Sequence, residues 1–290
     1  MLTYEYIRPD SIGQACETLA HHMGEAAVIA GGTDLLAQIR GEDKKLASLR
    51  YLVDLTHIPG MKSITKEGDI ISIGAMASHT DIAGSPVLQK EAQFLCEACA
   101  SVGSPQIRNM GTIGGNIANA SPAADPVTPL IALGAEVVTA RSGVGRAIPL
   151  ASLYKDPYVT ILESDEIITQ IRFKALPAGA GTAFVKLGRR KALAISRMNV
   201  AVALVFDIDR KVADSRICAG SVFPKPMRAA EAEALVKGHI TEEVAEAAGV
   251  KVAEAMIGIT GVRWSTEYKG PVIRSLVKRA VLLAAKVRTP

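Results

Sequence analysis

Two short glycine-rich segments are the residues of this chain best suited to bind an anion. The first covers residues 30–36 (A-G-G-T-D-L-L), and the second covers residues 112–125 (T-I-G-G-N-I-A-N-A-S-P-A-A-D). Each holds a Gly-Gly pair among short polar side chains. Paired glycines can turn through positive φ and bring backbone N–H groups close to a ligand, because no Cβ intervenes. Such N–H groups form concave anion sites, so two of these segments predict a ligand with more than one phosphate.

The spacing of other glycines excludes the common nucleotide motifs. No G-x-x-x-x-G-K-[ST] run exists. Gly179 and Gly181 begin like a dinucleotide fingerprint, but Phe184 stands where the third glycine is required. Because residues 116–126 are rich in short polar residues and proline, we expect that Gly114-Gly115 does not open a helix and that loop N–H groups and hydroxyls hold the anion. The alternative is that both pairs only mark tight turns in a β-rich domain.

Composition narrows the class of protein. The 290 residues are enough for two or three compact units. The net charge is only +4 and aromatic residues make up 4%, so we expect no nucleic-acid partner. No apolar run approaches the roughly 18 residues that span a bilayer, and residues 1–9 lack the apolar core of a signal peptide. We therefore expect a cytoplasmic protein with no membrane partner.

Cysteine and histidine spacing predicts no metal site and no catalytic residue. Cys96 and Cys99 form a C-x-x-C pair, but the other two cysteines offer no second pair. We interpret both as small apolar residues on a helix over residues 87–102. The five histidines are scattered along the chain. His79 lies either near the ligand or at a cap of Thr80.

The two glycine segments together resemble the FAD-binding subunit of the molybdenum-containing hydroxylases, the xanthine dehydrogenase and carbon monoxide dehydrogenase group. Further stretches match in order, S-P-Q-I-R-N at 104–109, D-E-I-I-T at 165–169 and F-V-K at 184–186. The resemblance implies an α+β fold with a flavin domain of the p-cresol methylhydroxylase (PCMH) and vanillyl-alcohol oxidase (VAO) type. That domain would cover residues 1–177, in subdomains of about 1–56 and 57–177. A C-terminal domain of antiparallel sheet and helices would cover residues 182–290.

The resemblance also implies noncovalently bound FAD and assigns its binding residues. N–H groups of both glycine pairs, with the Thr33 and Thr112 hydroxyls, would cradle the pyrophosphate. Asp125 matches a position that accepts from cofactor hydroxyls, Ile168 an apolar position at the isoalloxazine ring, and Lys186 the lysine near that ring. The complete implied set is Ile29, Ala30, Gly31, Gly32, Thr33, Asp34, Leu35, Leu36, Gly111, Thr112, Ile113, Gly114, Gly115, Asn116, Asp125, Ile168 and Lys186.

Two of these assignments have alternatives, and one contact known in the family is missing. Asp125 could instead cap the short helix that follows it, and Lys186 could form a surface salt bridge on an exposed strand. Residues 191–195 lack an aromatic side chain that some family members place against the flavin.

The function that the resemblance implies is electron relay. In the family, a molybdenum subunit hydroxylates a substrate, and electrons pass through a 2Fe-2S subunit to FAD and then to NAD+ or another acceptor. We expect the molybdenum cofactor and the 2Fe-2S clusters on two partner polypeptides. Two other hypotheses stay open: a freestanding FAD-dependent oxidoreductase of the VAO fold, and a nonenzymatic phosphate-binding module.

Apolar patterning predicts the elements that must position these residues. Ser11 and Gln14 form a capping box at the start of a helix. A strand over residues 28–30 leads into the first glycine segment, and residues 177–181 form a linker. Further strands are predicted at 51–55, 70–74, 136–138, 167–173, 200–206 and 217–222. Further helices are predicted at 126–133, 228–237, 241–256 and 271–287, the last with Pro271 at its first position.

Overall fold

Four β-sheets and the helices between them form the framework. A computed structural model describes residues 4–190 and 193–286. Along these residues the sheets have three, five, two and four strands. The fold is α+β, as the sequence predicts.

The N-terminal sheet is parallel, with strand order β1-β3-β2. Its elements are β1 (Glu5–Ile7), α1 (Ile12–His21), β2 (Ala26–Ile29), α2 (Leu35–Arg40), a 3-10 turn (Lys44–Leu46) and β3 (Tyr51–Asp54). Helix α1 begins where predicted, because the Ser11 hydroxyl accepts from the Gln14 N–H at 3.2 Å. Strand β2 ends at Ile29, so the first glycine segment leaves the carboxyl end of a strand.

The central sheet is antiparallel, with strand order β4-β5-β10-β6-β7. Its strands are β4 (Ile64–Glu67), β5 (Ile70–Gly74), β6 (Glu136–Arg141), β7 (Val144–Pro149) and β10 (Ile167–Lys174). Short helices fill the long connection from β5 to β6 and the turn after β7: α3 (His79–Gly84), α4 (Pro86–Glu91), α5 (Gln93–Ala100), α6 (Pro105–Met110), α7 (Ile113–Ala118), α8 (Val127–Ala132) and α9 (Leu150–Leu153). A hairpin of β8 (Tyr154–Asp156) and β9 (Val159–Thr160) precedes β10.

The C-terminal sheet is antiparallel in the order β11-β12-β13-β14. Its elements are β11 (Gly181–Gly188), β12 (Ser196–Phe206), β13 (Val212–Gly220), β14 (Met227–Arg228), α10 (Ala230–Leu235), α11 (Glu242–Thr260) and α12 (Thr266–Lys286). Ala201 and Ala203 of β12 belong to the core of the N-terminal part. The alternating Val200 and Val202 belong to a second core with helices α10–α12. The sheet therefore buries both faces, one of them against the N-terminal part of the chain.

Three helix predictions are corrected by the structure. The predicted helix over residues 87–102 is two helices, because Ala92 leaves helical geometry at φ −152° and ψ 50°. Pro271 lies inside α12, which already begins at Thr266. Helix α11 continues past Met256 to Thr260 and ends at Gly261, whose φ is 68°. None of the described helices has both the length and the apolar character needed to cross a membrane.

Candidate cofactor site

A cavity of about 750 Å³ lies between the two glycine segments, and the C-terminal domain contributes residues 193–195 to its wall. The structure thus brings together two segments that are far apart in sequence. Predicted site residues that line this cavity are Ala30, Gly31, Gly32, Thr33, Asp34, Leu35, Gly111, Thr112, Gly114, Gly115, Asn116, Asp125 and Ile168. Four predicted residues do not line it: Ile29, Leu36, Ile113 and Lys186.

At Gly31 the first segment meets the backbone that leads directly into the second segment. A Cβ on Gly31 would lie 2.6 Å from the carbonyl carbon of Met110 and 3.0 Å from the Cα of Gly111. Only glycine fits so close to another backbone. The cavity wall therefore requires glycine at position 31, because no larger residue allows the two backbones to pack so closely.

The first segment carries backbone donors that no protein group uses. Within the described residues, the N–H groups of Gly31, Gly32 and Thr33 have neither a backbone nor a side-chain acceptor. Gly32 adopts a φ of 68°, which turns the chain so that successive N–H groups can face one side. Because these residues line the cavity, their N–H groups are available to an anionic ligand.

The second segment is built differently from the prediction. Gly114 and Gly115 lie in the first turn of α7, whose N-cap is Thr112. The Gly115 N–H donates to the Thr112 hydroxyl at 3.1 Å, and the Gly114 N–H donates to the Ala75 carbonyl at 2.8 Å. The expectation that this pair opens no helix is wrong, because the Thr112 side chain caps the first turn of α7. The two amides that we expected to donate to the ligand are already engaged in the protein.

Two side chains of the wall have unpartnered polar atoms in the described structure, Asn116 Oδ1 and His79 Nδ1. His79 is 2% exposed. Burial, aided by repulsion from the Arg108 guanidinium, lowers the pKa of His79 to about 4, so the imidazole is neutral near pH 7. The sequence left the place of His79 open, and the structure puts it in the cavity wall.

Lys186 and Asp125 form a buried ion pair across the two domains. Lys186 Nζ lies 2.6 Å from Asp125 Oδ2 and also donates to the Ser101 carbonyl at 2.8 Å. Asp125 Oδ1 accepts from Ser196 and Asn199. The alternative of a surface salt bridge is wrong, because the Lys186 side chain is only 14% exposed. The capping alternative for Asp125 is also wrong, because α8 has no side-chain cap.

Glu166, in the D-E-I-I-T stretch at 165–169, lines the cavity but is not among the predicted site residues. Burial opposes ionisation, but hydrogen bonds from Arg146 and Thr139 outweigh it and lower the pKa of the Glu166 carboxyl to about 2. The same carboxylate accepts from the Glu163 N–H, and Arg146 also donates to the Ile161 carbonyl. This charged cluster fixes the segment that enters β10, where Ile168 lines the cavity.

The geometry fits a dinucleotide with a diphosphate bridge. N–H donors without an acceptor among the described residues, a glycine at a close backbone contact and unpartnered side-chain atoms meet in one cavity of about 750 Å³. Fold and site together define a two-domain cofactor-binding protein whose cavity is shaped by two glycine segments.

Comparison with known proteins identifies the family. The model for the FAD binding domain in molybdopterin dehydrogenase matches residues 2–175, and the model for the CO dehydrogenase flavoprotein C-terminal domain matches residues 183–284. The chain belongs to this family of FAD-binding medium subunits of molybdenum hydroxylases. It is an oxidoreductase subunit, and the resemblance seen in the sequence is confirmed.

Its relatives match over nearly their full length. The chain is 32% identical to the nicotine 6-hydroxylase medium subunit of Paenarthrobacter nicotinovorans, with 96% of each chain covered. It is also 32% identical to the carbon monoxide dehydrogenase medium chain of Hydrogenophaga pseudoflava, again with 96% of each covered. A solved carbon monoxide dehydrogenase from Hydrogenophaga pseudoflava superposes with a TM-score of 0.89 at 31% identity, covering 97% of each chain.

Proposed function

We propose that this chain is the FAD-carrying electron-transfer subunit of a molybdenum hydroxylase complex. It accepts electrons from a partner 2Fe-2S polypeptide and passes them to NAD+ or another acceptor. The observation that carries the proposal is the meeting of both glycine segments at one cavity with unused N–H donors. Relatives named as medium subunits or medium chains support a complex with a large molybdenum subunit and a small 2Fe-2S subunit.

The chain's own residues bind and orient the cofactor in this proposal. The N–H groups of Gly31, Gly32 and Thr33 donate to the diphosphate, because anions are favoured where successive amides face one cavity. Asn116 offers its unpartnered amide oxygen to a ligand hydroxyl. Ile168, 6% exposed, presents an apolar surface for a flat ring.

Three predicted residues that do not line the cavity stabilise residues that do. Ile113, the first residue of α7, is fully buried, and Ile29, the last residue of β2, is 8% exposed. Lys186 holds Asp125 in the wall.

FAD supplies the redox chemistry of its isoalloxazine ring, so the protein needs no nucleophile for electron transfer. We propose noncovalent binding of FAD; no cysteine lines the cavity. The molybdenum cofactor and the 2Fe-2S clusters belong to the partner polypeptides.

Purification from the native host tests this proposal. We expect two further polypeptides to copurify, with molybdenum and iron in the complex, one FAD per chain and electron transfer from NADH to a dye. A protein that carries FAD and oxidises a small organic substrate unaided would favour the freestanding oxidoreductase. A purified chain that takes up no FAD would overturn the proposal.

A further inference from the structure

The hairpin between β8 and β9 places a tyrosine where backbone geometry favours glycine. Asp156 pairs with Val159, so Pro157 and Tyr158 form a two-residue turn. Tyr158 has a φ of 60°. Proline followed by a residue with positive φ is typical of a type II turn, in which the second position favours Gly or Asn. A bulky residue there is strained, because its Cβ crowds the backbone.

Packing does not compensate for this strain. Tyr158 is 60% exposed, and it also lines the cavity. Tyr158 is therefore both exposed to solvent and next to the space that a ligand would enter. Backbone strain at an exposed residue with no packing gain is characteristic of functional positions.

Hydrogen bonds fix the turn against the second glycine segment. The Tyr158 N–H donates to the Ala120 carbonyl at 2.9 Å, just beyond helix α7. The Ile161 N–H donates to the Leu153 carbonyl at 3.0 Å, and Arg146 donates to the Ile161 carbonyl. The ring is thus carried on an anchored backbone rather than on a free loop.

Tyr158 also brings a surface that the rest of the wall lacks. Among the described lining residues, only Tyr158 and His79 carry aromatic rings. The residues of the C-terminal domain that line the cavity are Leu193, Ala194 and Ile195, whose side chains are aliphatic. Among the described lining residues, Tyr158 therefore carries the one large flat side chain.

We propose that Tyr158 packs its ring against a planar ring of the bound dinucleotide and is a cofactor-affinity residue of this chain. This inference rests on the proposed function, because FAD is the ligand with planar rings at both ends. Stacking between an aromatic side chain and a heterocyclic base is a favourable and sequence-tolerant contact.

Titration of the full-length apoprotein with FAD tests the inference. We expect Tyr158→Phe to bind FAD like the wild type, because the ring is kept. Tyr158→Leu and Tyr158→Gly should bind about tenfold more weakly, the scale of one lost stacking contact. Because Gly suits the turn, Tyr158→Gly should melt no lower than the wild type, which separates lost affinity from misfolding. Tyr268→Leu is the matched control, since Tyr268 is 46% exposed and lies outside the cavity.

Parallel titrations with FMN and ADP identify which ring is involved. Weaker FMN binding by Tyr158→Leu indicates the isoalloxazine ring, and weaker ADP binding indicates the adenine; either result supports the inference. If the wild type binds FAD and both Tyr158→Leu and Tyr158→Gly bind it equally well, the inference fails while the proposed function stands. If the wild type takes up no FAD, the proposed function fails, and this inference fails with it.

Discussion

The two glycine segments have similar sequences, but their backbone amides are used in different ways. In the first segment, the N–H groups of Gly31 and Gly32 have no acceptor among the described residues, and both glycines line the cavity. In the second, the N–H groups of Gly114 and Gly115 are bonded to Ala75 and Thr112. The first glycine pair leaves N–H donors for a ligand. The N–H groups of the second pair instead hold the first turn of α7 against Ala75, just after β5.

Glycine is required in both segments, for different steric reasons. Gly31 must be small because the Met110–Gly111 backbone passes beside it, and Gly114 because a Cβ would lie 2.7 Å from the Ala75 Cβ. Substitution of Gly31 should therefore disturb both the packing of the cavity wall and the N–H donors beside it, so FAD binding should fall along with stability. Substitutions at groups already engaged in the protein should affect folding before FAD binding.

The largest expected effect is at Gly31. In Gly31→Ala, the new methyl group would collide with the Met110 carbonyl and separate the two segments. We expect the purified chain to retain less than about a tenth of the wild-type FAD, measured as the ratio of flavin to protein absorbance. Gly258→Ala is the control, because a Cβ there meets open space. Normal FAD content in a folded Gly31→Ala protein would remove the first segment from the site.

The second largest effect is expected from breaking the buried ion pair between Lys186 and Asp125. Lys186→Met leaves the Asp125 carboxylate buried without its cation, so we expect the free energy of unfolding to fall by about 3 kcal/mol. Urea unfolding of the apoprotein measures this change. Lys174→Met is the matched control, since Lys174 and Asp69 pair on the surface, with side chains 72% and 58% exposed. If Lys186→Met instead keeps full stability and loses FAD, the lysine acts on the ligand directly.

A smaller change is expected at Gly114. Gly114→Ala pushes α7 away from Ala75, and we expect a loss of about 2 kcal/mol in the free energy of unfolding. FAD affinity, measured on the folded fraction, should change less than in Gly31→Ala. Gly84→Ala provides the control, because nothing lies within 4 Å of its Cβ position. Equal loss of FAD in Gly31→Ala and Gly114→Ala would break the distinction between the two segments.

The smallest expected effect is a pH dependence due to His79. Its pKa is about 4 in the folded chain against 6.5 for a free imidazole. Below pH 6.5 the unfolded chain takes up a proton that folded His79 does not, so the free energy of unfolding falls as the pH falls from 6.5 toward 4. We expect about 1 kcal/mol less stability at pH 6 than at pH 8. The difference should shrink in His79→Gln; an unchanged slope would show that another group causes it.

Much of this arrangement could be predicted from the sequence, since local patterns determine it. The Ser11 cap, the alternating strand over residues 167–173 and the two glycine segments all depend on neighbours within a few residues. The family resemblance then predicted that the two glycine segments lie at one site. Their spacing in the sequence alone does not predict this long-range contact.

The parts that could not be predicted depend on distant contacts. Lys186 and Asp125 are 61 residues apart, and nothing local indicates that the lysine turns inward to a carboxylate and the Ser101 carbonyl. The helix at Gly114 needs the Ala75 backbone as well as its own cap. The place of Pro271 inside α12 also depends on distant contacts, because Ile273 and Leu276 of this helix pack into the second core.

The Asp125–Lys186 pair bears on how the polypeptide could be divided. Ser196 and Asn199 complete the shell of the same carboxylate, and Ala201, Ala203 and Cys218 fill part of the N-terminal core. A recombinant fragment ending near residue 177 would expose the partners of those apolar side chains to water and would remove Lys186, Ser196 and Asn199 from the Asp125 carboxylate. We therefore expect such a truncated piece to be insoluble, and any fusion or split version of this subunit to need both halves in the same cell.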